Sequence, residues 1–287
     1  MEQLSSFFQK KKTINYSGRL IDLSKSLIMG IINVTPDSFY PDSRYQDEEK
    51  IANRTQQIIK EGGSIIDLGA YSSRPHAADV SAEEEIERLR FALPIIKKCA
   101  PEIILSIDTF RAEVVEAIYD EFGTFIINDI SAGGLDDRMF GVAGRLGLPY
   151  IAMHMKGSPQ SMIHETQYDD FFRDITAYFA DKLKRLIDAG VHDIILDPGY
   201  GFSKNMEQNY ELLKRMNELV IFELPILVGV SRKRMIYHLL GLTADEALNG
   251  TTVINTIALQ KGADILRVHD VKQAVECVKI IEKLKSV

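Results

Sequence analysis

The sequence predicts an α/β protein, a single (β/α)8 barrel of the TIM type, on three observations. Eight short runs of consecutive apolar residues punctuate the 287-residue chain, amphipathic stretches separate them, and each run ends on polar or charged side chains. Continuous apolarity is what a strand covered on both faces requires; a half-solvated strand would alternate. Strand and helix repeated eight times point to a parallel sheet closed on itself. A doubly wound open sheet is the alternative, but it wants Gly-x-Gly-x-x-Gly after its first strand, and Gly30-Ile31-Ile32-Asn33 does not supply it.

Residues 13–23 come first and read as a hairpin around Ser17-Gly18 that closes the barrel bottom. The eight expected strands are 27–34, 64–68, 103–107, 125–130, 149–153, 194–196, 225–230 and 264–268. Between them, Ser81-Ala82-Glu83-Glu84 and Thr243-Ala244-Asp245-Glu246 read as capping boxes, and Asp270-Val271-Lys272-Gln273 resembles one. Gly62, Gly147, Gly190 and Gly262 stand where helices should stop. Phe171, Phe172, Ile175, Tyr178 and Phe179 share helical spacing and read as core-facing. On the fifth strand Met153 and Met155 alternate, so only one should face the interior. No linker or internal repeat interrupts the pattern, so one domain over 1–287 is expected, with a core of about 13–282.

Composition narrows the function classes. Lys+Arg 34 against Asp+Glu 41 gives a net charge of −7, which argues against a nucleic-acid partner. The two cysteines, Cys99 and Cys277, form no metal-ligand spacing and fit a reducing cytosol. No apolar run approaches membrane-spanning length and no signal peptide opens the chain, so no membrane association is expected and the location is expected to be cytoplasmic. The Lys10-Lys11-Lys12 run reads as a solvated stretch, and His76, His164, His192 and His238 as surface or packing residues.

The strand ends carry the functional signal. In order they present Asn33; Ser72-Ser73-Arg74-Pro75; Asp108; Asn128-Asp129; His154; Asp197; Ser231-Arg232-Lys233; and Arg267 with His269. Barrel enzymes build their sites on the rim at the carboxyl ends of the strands. Asp129, Ser131 and Thr109 are individually explained as caps or loop ligands, and His154 serves a rim or a structural role equally well. The set as a whole is not explained that way, because the Lys233 and Arg267 side chains cannot cap a helix N-terminus. A local cluster of Arg74, Lys233, Arg267 and His269 in an acidic chain points to a phosphate or diphosphate. Asp108, Asn128 and Asp197 suit a flat heterocycle rich in N–H donors, on whose face Arg267 can stack.

These residues lie in motifs that resemble dihydropteroate synthases. The stretch from Ile28-Met29-Gly30 through Asn33-Val34-Thr35-Pro36-Asp37-Ser38-Phe39 is similar to the family's first signature, and Ile66-Asp67-Leu68-Gly69-Ala70-Tyr71-Ser72-Ser73-Arg74-Pro75 to its second. Ser106-Ile107-Asp108-Thr109, Ile127-Asn128-Asp129, Asp197-Pro198-Gly199-Tyr200-Gly201-Phe202, Gly229-Val230-Ser231-Arg232-Lys233 and Arg267-Val268-His269 follow in the family's order. The resemblance implies condensation of p-aminobenzoate with 6-hydroxymethyl-7,8-dihydropterin diphosphate, giving 7,8-dihydropteroate and pyrophosphate in folate biosynthesis. It implies Asp108, Lys233, Arg267 and His269 as the catalytic set, and Asp108, Asn128, Met153, Asp197, Phe202, Lys233, Arg267 and Val268 around the pterin. Arg74 and His269 would contact the diphosphate, Ser73 would stand beside substrate, and Phe39, Arg74 and Pro75 would enclose p-aminobenzoate. Mg²⁺ would be held near Asn33, and the protein would be a homodimer and a sulfonamide target. Tyr71, Ser73 and His76 depart from the usual Gly-Gly-Glu-Ser-Thr-Arg-Pro-Gly, and Tyr40-Pro41 reshapes the first loop. Loops 34–47 and 69–80, bracketed by prolines, read as lids. Two rivals stay open here: a pterin-binding methyltransferase domain, and a non-catalytic relative that binds a pterin without making pteroate.

Overall fold

In a computed structural model the chain is described over residues 9–34, 44–71, 80–162 and 164–287. β1 (Thr13–Tyr16) and β2 (Arg19–Asp22) form the hairpin, with Ser17 at φ +54° and Gly18 at φ +82° making the two-residue turn. Then follow β3 (Leu27–Asn33), α1 (Arg44–Lys60), β4 (Ile65–Gly69), α2 (Ala82–Cys99), β5 (Ile104–Asp108), α3 (Ala112–Phe122), β6 (Ile126–Asp129), α4 (Met139–Leu146) and β7 (Tyr150–Met153). The second half runs α5 (Phe171–Asp188), β8 (Ile194–Asp197), α6 (Met206–Arg215), a 3₁₀ turn (Met216–Phe222), β9 (Leu227–Val228), α7 (Arg234–Leu240), α8 (Leu248–Gln260), β10 (Ile265–Val268) and α9 (Val271–Lys285). All eight expected barrel strands are present, parallel, in the order β8-β7-β6-β5-β4-β3-β10-β9. A single bridge, Leu196 to Ile226, draws β8 to β9 and nearly closes the barrel. Among the described residues no helix is long and apolar enough to cross a membrane.

Two-residue alternation along each strand produces two layers inside the barrel. The lower layer takes one apolar side chain from every strand: Met29, Ile65, Ile104, Ile126, Ile151, Ile195, Leu227 and Ile265. Ile14, Ile21 and Leu23 of the hairpin region seal this layer from below, as expected from the sequence. Two positions further along, the inward residues turn polar: Asp67, Asn128, Asp197 and Arg267. The intervening residues, such as Ile66, Leu68, Ile127, Leu196 and Val268, face outward into the core shared with the helices. Burial on both sides explains why these strands read as unbroken apolar runs.

Several local expectations change. Ser81 does cap α2, accepting from the Glu84 N–H at 3.2 Å. Thr243 pairs with Glu246, but in a turn ahead of α8, whose first residue is Leu248. Asp270 precedes α9 without capping it, because its carboxylate is taken by Arg232 at 2.9 Å. The full capping box is Asn205 with Gln208 at the start of α6, which hydrophobic patterning did not single out. Gly62, Gly147, Gly190 and Gly262 all have positive φ, as helix stops should.

The lysine run is no solvated stretch. Lys10 Nζ ion-pairs with Asp264 and donates to the Gly262 carbonyl, while Lys11 Nζ donates to Asp193 at 2.8 Å. Lys11 N donates to the Glu223 carbonyl at 2.7 Å, so the segment straps the starts of β8, β9 and β10 together where the barrel has fewest strand bonds.

Candidate active site

Register places the polar layer side by side. Gly69 pairs with Asp108, Asp108 with Asn128, and Met153 with Asp197. Arg267, reaching in from β10, gathers the carboxylates: its Nε donates to Asp67 at 2.6 Å and its Nη2 to Asp108 at 2.7 Å.

Asp67 is the hub, and sequence reasoning gave it no role. Fully buried, it accepts from Ser106 Oγ at 2.6 Å, from Asn128 Nδ2 at 3.2 and 3.1 Å, and from Arg267. The available signal was a carboxylate inside the apolar run Ile65-Ile66-Asp67-Leu68. By taking the Asn128 amide N–H, Asp67 turns the Asn128 carbonyl into the group left for a ligand, which must then donate to it.

Asp197 stands at the end of β8, 7% exposed, accepting the Gly199 N–H at 2.8 Å. Burial raises its carboxyl above the ordinary range, against the pull of Lys233. Lys233 occupies the residue before α7 but makes no side-chain cap; its ammonium donates to the Tyr200 carbonyl and lies 4.6 Å from the Phe202 ring centre. Burial lowers its pKa to about 8, with Asp197 opposing the shift. Asp108 is raised to about 7, by burial first and then by the Asp67 charge, while Arg267 pulls it down. Arg267 itself moves upward, because its carboxylate partners outweigh its burial.

Met153 and Phe202 belong to one apolar shelf with Phe110, Ile130, Met155 and Met162. Both methionines join it, against the expectation that only one would, because residues two apart along an extended chain share a face. Val268 is corrected too. Its side chain is fully buried in the outer layer, so it presents no side chain to the pocket.

His269 lies beside the barrel mouth, its Nδ1 3.1 Å from Ser231 Oγ, and Arg54 holds its carbonyl at 2.6 Å. Burial and then Arg267 lower its pKa to about 4. It is therefore neutral near pH 7 and offers a hydrogen bond, not the positive charge that the sequence assigned it. Arg232 is held by Asp270 and by the Ala244 and Asp245 carbonyls. A cleft of about 590 Å³ opens beside this group, lined by Asn33, Lys50, Arg54, Arg232 and His269 together with Asp270.

Phe39, Ser73, Arg74 and Pro75, with Tyr40, Pro41, His76 and the central parts of both expected lids, lie outside the described residues. Tyr71 is described. Its ring meets Phe110 edge-on at 5.1 Å, with the Arg111 guanidinium over both rings. Asp129, Thr109 and Ser131 serve local structure, as expected. Asp129 accepts from Ser131 N and Oγ, Gly133 N and Tyr150 OH. His164, His192 and His238 are exposed. Both cysteines are free thiols.

A family model described as pterin binding enzyme matches residues 29–269. The chain is 40% identical over 277 residues to the dihydropteroate synthase of Escherichia coli (strain K12), spanning 94% of this chain and 95% of that one. Its fold is similar to a Yersinia pestis dihydropteroate synthase in complex with a sulfonamide drug, at TM-score 0.85 and 38% identity, covering 96% and 100% of the two chains. It is likewise similar to the Xanthomonas albilineans dihydropteroate synthase with 4-aminobenzoic acid, at TM-score 0.86 and 31% identity, covering 97% and 100%.

Proposed function

The chain belongs to the dihydropteroate synthases, transferases of folate biosynthesis that join p-aminobenzoate to 6-hydroxymethyl-7,8-dihydropterin diphosphate, and on that premise we propose how its residues divide the reaction. The observation that carries the assignment is the convergence of Asp67, Asp108, Arg267, Asn128, Asp197 and Lys233 on one rim. Asn128 Oδ1 and the Asp108 and Asp197 carboxylates accept the N–H donors of the pterin, and Met153 and Phe202 cover its ring. The diphosphate tail points toward His269 and the cleft. When the methylene–oxygen bond breaks, pyrophosphate leaves with the electron pair and positive charge spreads over the pterin-methylene unit. Three carboxylates against Arg267 and Lys233 leave this pocket an excess of negative charge, fixed before reaction, where that charge develops. The aniline nitrogen, uncharged at neutral pH, then attacks the methylene carbon and releases its proton, so no strong base is required. His269 donates to the departing phosphate oxygens, and Arg74, named by the family motif, contributes charge there.

These roles give a sign for the pH dependence. Asp108 counters the developing positive charge only when ionised, and Lys233 supports its partners only when protonated. The kcat/KM for the pterin diphosphate is therefore expected to rise as Asp108 loses its proton near about 7 and to fall as Lys233 loses its own near about 8. Asp108→Asn is expected to remove the rising limb. A wild-type profile flat across both values contradicts the assignment.

Asn33 suits Mg²⁺ only in part. Among the described residues no cluster of three or more acidic, histidine or cysteine side chains forms a cage, and Asn33 supplies one amide oxygen at the mouth of the cleft. Such a donor fits an ion whose other ligands are water and diphosphate oxygens. Bound there, Mg²⁺ would neutralise charge on the leaving group. EDTA is expected to abolish turnover and added Mg²⁺ to restore it; turnover unaffected by chelation removes Asn33 from this role.

We assign the protein to the cytoplasm, where its two free thiols stay reduced, and read it as a homodimer. Leu239 and Leu240 on α7, Val253 on α8 and Ile280 on α9 are exposed apolar side chains on three successive helices, which supports a self-association face.

A further inference from the structure

Lys204 and His154 take no part in the chemistry above, yet both are buried at the rim. Among the described residues the Lys204 side chain has no carboxylate within hydrogen-bonding reach, and burial lowers its pKa well below the ordinary range, but three acceptors around Nζ match the three N–H groups of an ammonium. It donates to the Gly199 and Phe202 carbonyls and to His154 Nδ1, each at 2.9 Å, with the His154 carbonyl at 3.4 Å. For Nδ1 to accept, the imidazole must be neutral with its proton on Nε2. Burial and the neighbouring ammonium keep it so. Tyr178 packs edge-on against the ring at 4.7 Å, with Tyr168 and Phe179 around it.

These bonds tie together the loops that follow β7 and β8. His154 N donates to the Asp197 carbonyl at 3.0 Å, Lys156 N to Ser203 Oγ at 2.7 Å, and Tyr168 OH to the Ser203 carbonyl at 2.9 Å. Gly199, at φ +70°, lies so close that a Cβ would stand 2.1 Å from the His154 oxygen. On the other side of the same loop are the groups that meet the pterin. The Gly199 N–H holds Asp197, the Tyr200 carbonyl holds Lys233, and the Phe202 ring underlies the Lys233 ammonium. Carbonyls 199 and 202 thus point to Lys204, and carbonyl 200 points to Lys233.

We propose that Lys204, seated on His154, is a positioning residue for the pterin pocket: it draws two carbonyls of the 199–202 loop inward and so turns the Tyr200 carbonyl and the Phe202 ring toward Lys233. The proposal rests on the function given above and adds a residue that does not touch substrate. Its loss frees the 199–202 loop, whereas the residues that the family motifs assign to p-aminobenzoate, Phe39, Arg74 and Pro75, belong to other segments of the chain.

The test is calorimetric binding of 6-hydroxymethyl-7,8-dihydropterin diphosphate to the full chain, with steady-state kinetics and thermal melts alongside. Lys204→Met is expected to raise the dissociation constant by about 30-fold, in line with losing charge-assisted hydrogen bonds, and to leave KM for p-aminobenzoate within about twofold. His154→Asn keeps an acceptor near Nζ and is expected to retain affinity within about threefold, whereas His154→Leu loses as much as Lys204→Met. A lysine that served stability alone would lower the melting temperature and leave the affinity of the folded protein unchanged. That result, or equal affinity in the two His154 variants, overturns the proposal; if Lys204→Met does not fold, the His154 pair decides. Wild-type protein that fails to bind the pterin diphosphate overturns instead the function on which the proposal rests.

Discussion

Asp67→Ala is expected to lower kcat/KM for the pterin diphosphate by about a thousandfold, the upper range for loss of one preorganised electrostatic group. Three consequences follow from one deletion. Arg267 loses its 2.6 Å partner and keeps only Asp108, the Asn128 amide is free to rotate, and Ser106 Oγ is left without its acceptor. A buried cation stripped of one counter-charge is also costly to the fold, by about 3–5 kcal/mol. Asp67→Asn separates the two effects. It preserves volume, but its new N–H group cannot accept from Arg267 Nε, Asn128 Nδ2 and Ser106 Oγ together. Its melting temperature is expected to fall less than that of the alanine variant, while kcat/KM still drops by about a hundredfold. Steady-state kinetics beside thermal melts check both statements. Wild-type kcat/KM in a folded Asp67→Asn protein would remove the hub from the account.

Asp197→Ala is expected to abolish measurable pterin-diphosphate binding while leaving the barrel folded. Asp197 is at the carboxyl end of β8, where it bonds the Gly199 N–H and faces Lys233, so its loss removes an acceptor for the ligand and the main counter-charge for the lysine. Leaving those donors unpaired opposes binding more than the lost contact alone, by about a hundredfold or more. The backbone of β8 keeps its bonds to β7, so the circular dichroism spectrum is expected to match wild type. Calorimetry that finds undiminished affinity contradicts the placement of the pterin against this carboxylate.

The barrel was legible in the sequence because buried parallel strands leave unbroken apolar runs, and the pocket because each run stops at a polar residue. Asp108, Asn128, Asp197 and Arg267 all break the pattern at the rim, and all face one another across it. Asp67 breaks it too, inside its run, but its importance depends on meeting Arg267 from 200 positions away, and separation along the chain does not record that. Side-chain parity decided two other residues. Val268 follows an inward arginine and must point outward, whereas Met155 stands two positions beyond Met153 and so shares its face. His269 was identified by position but not by charge, since its protonation depends first on burial and then on three arginines brought together by the fold. Lys10 and Lys11 resembled any exposed basic run until Asp264 and Asp193 arrived beneath them.

The central claim concerns one cavity in which carboxylates stabilise a cationic pterin-methylene while its diphosphate departs. Incubating the full-length protein with p-aminobenzoate, the pterin diphosphate and Mg²⁺, and quantifying pyrophosphate and 7,8-dihydropteroate together, tests it most directly. Equal amounts of the two products, both lost in Asp67→Ala and Asp197→Ala, are the expected result. Tight retention of the pterin diphosphate with neither product formed would contradict it and leave a binding protein in place of an enzyme.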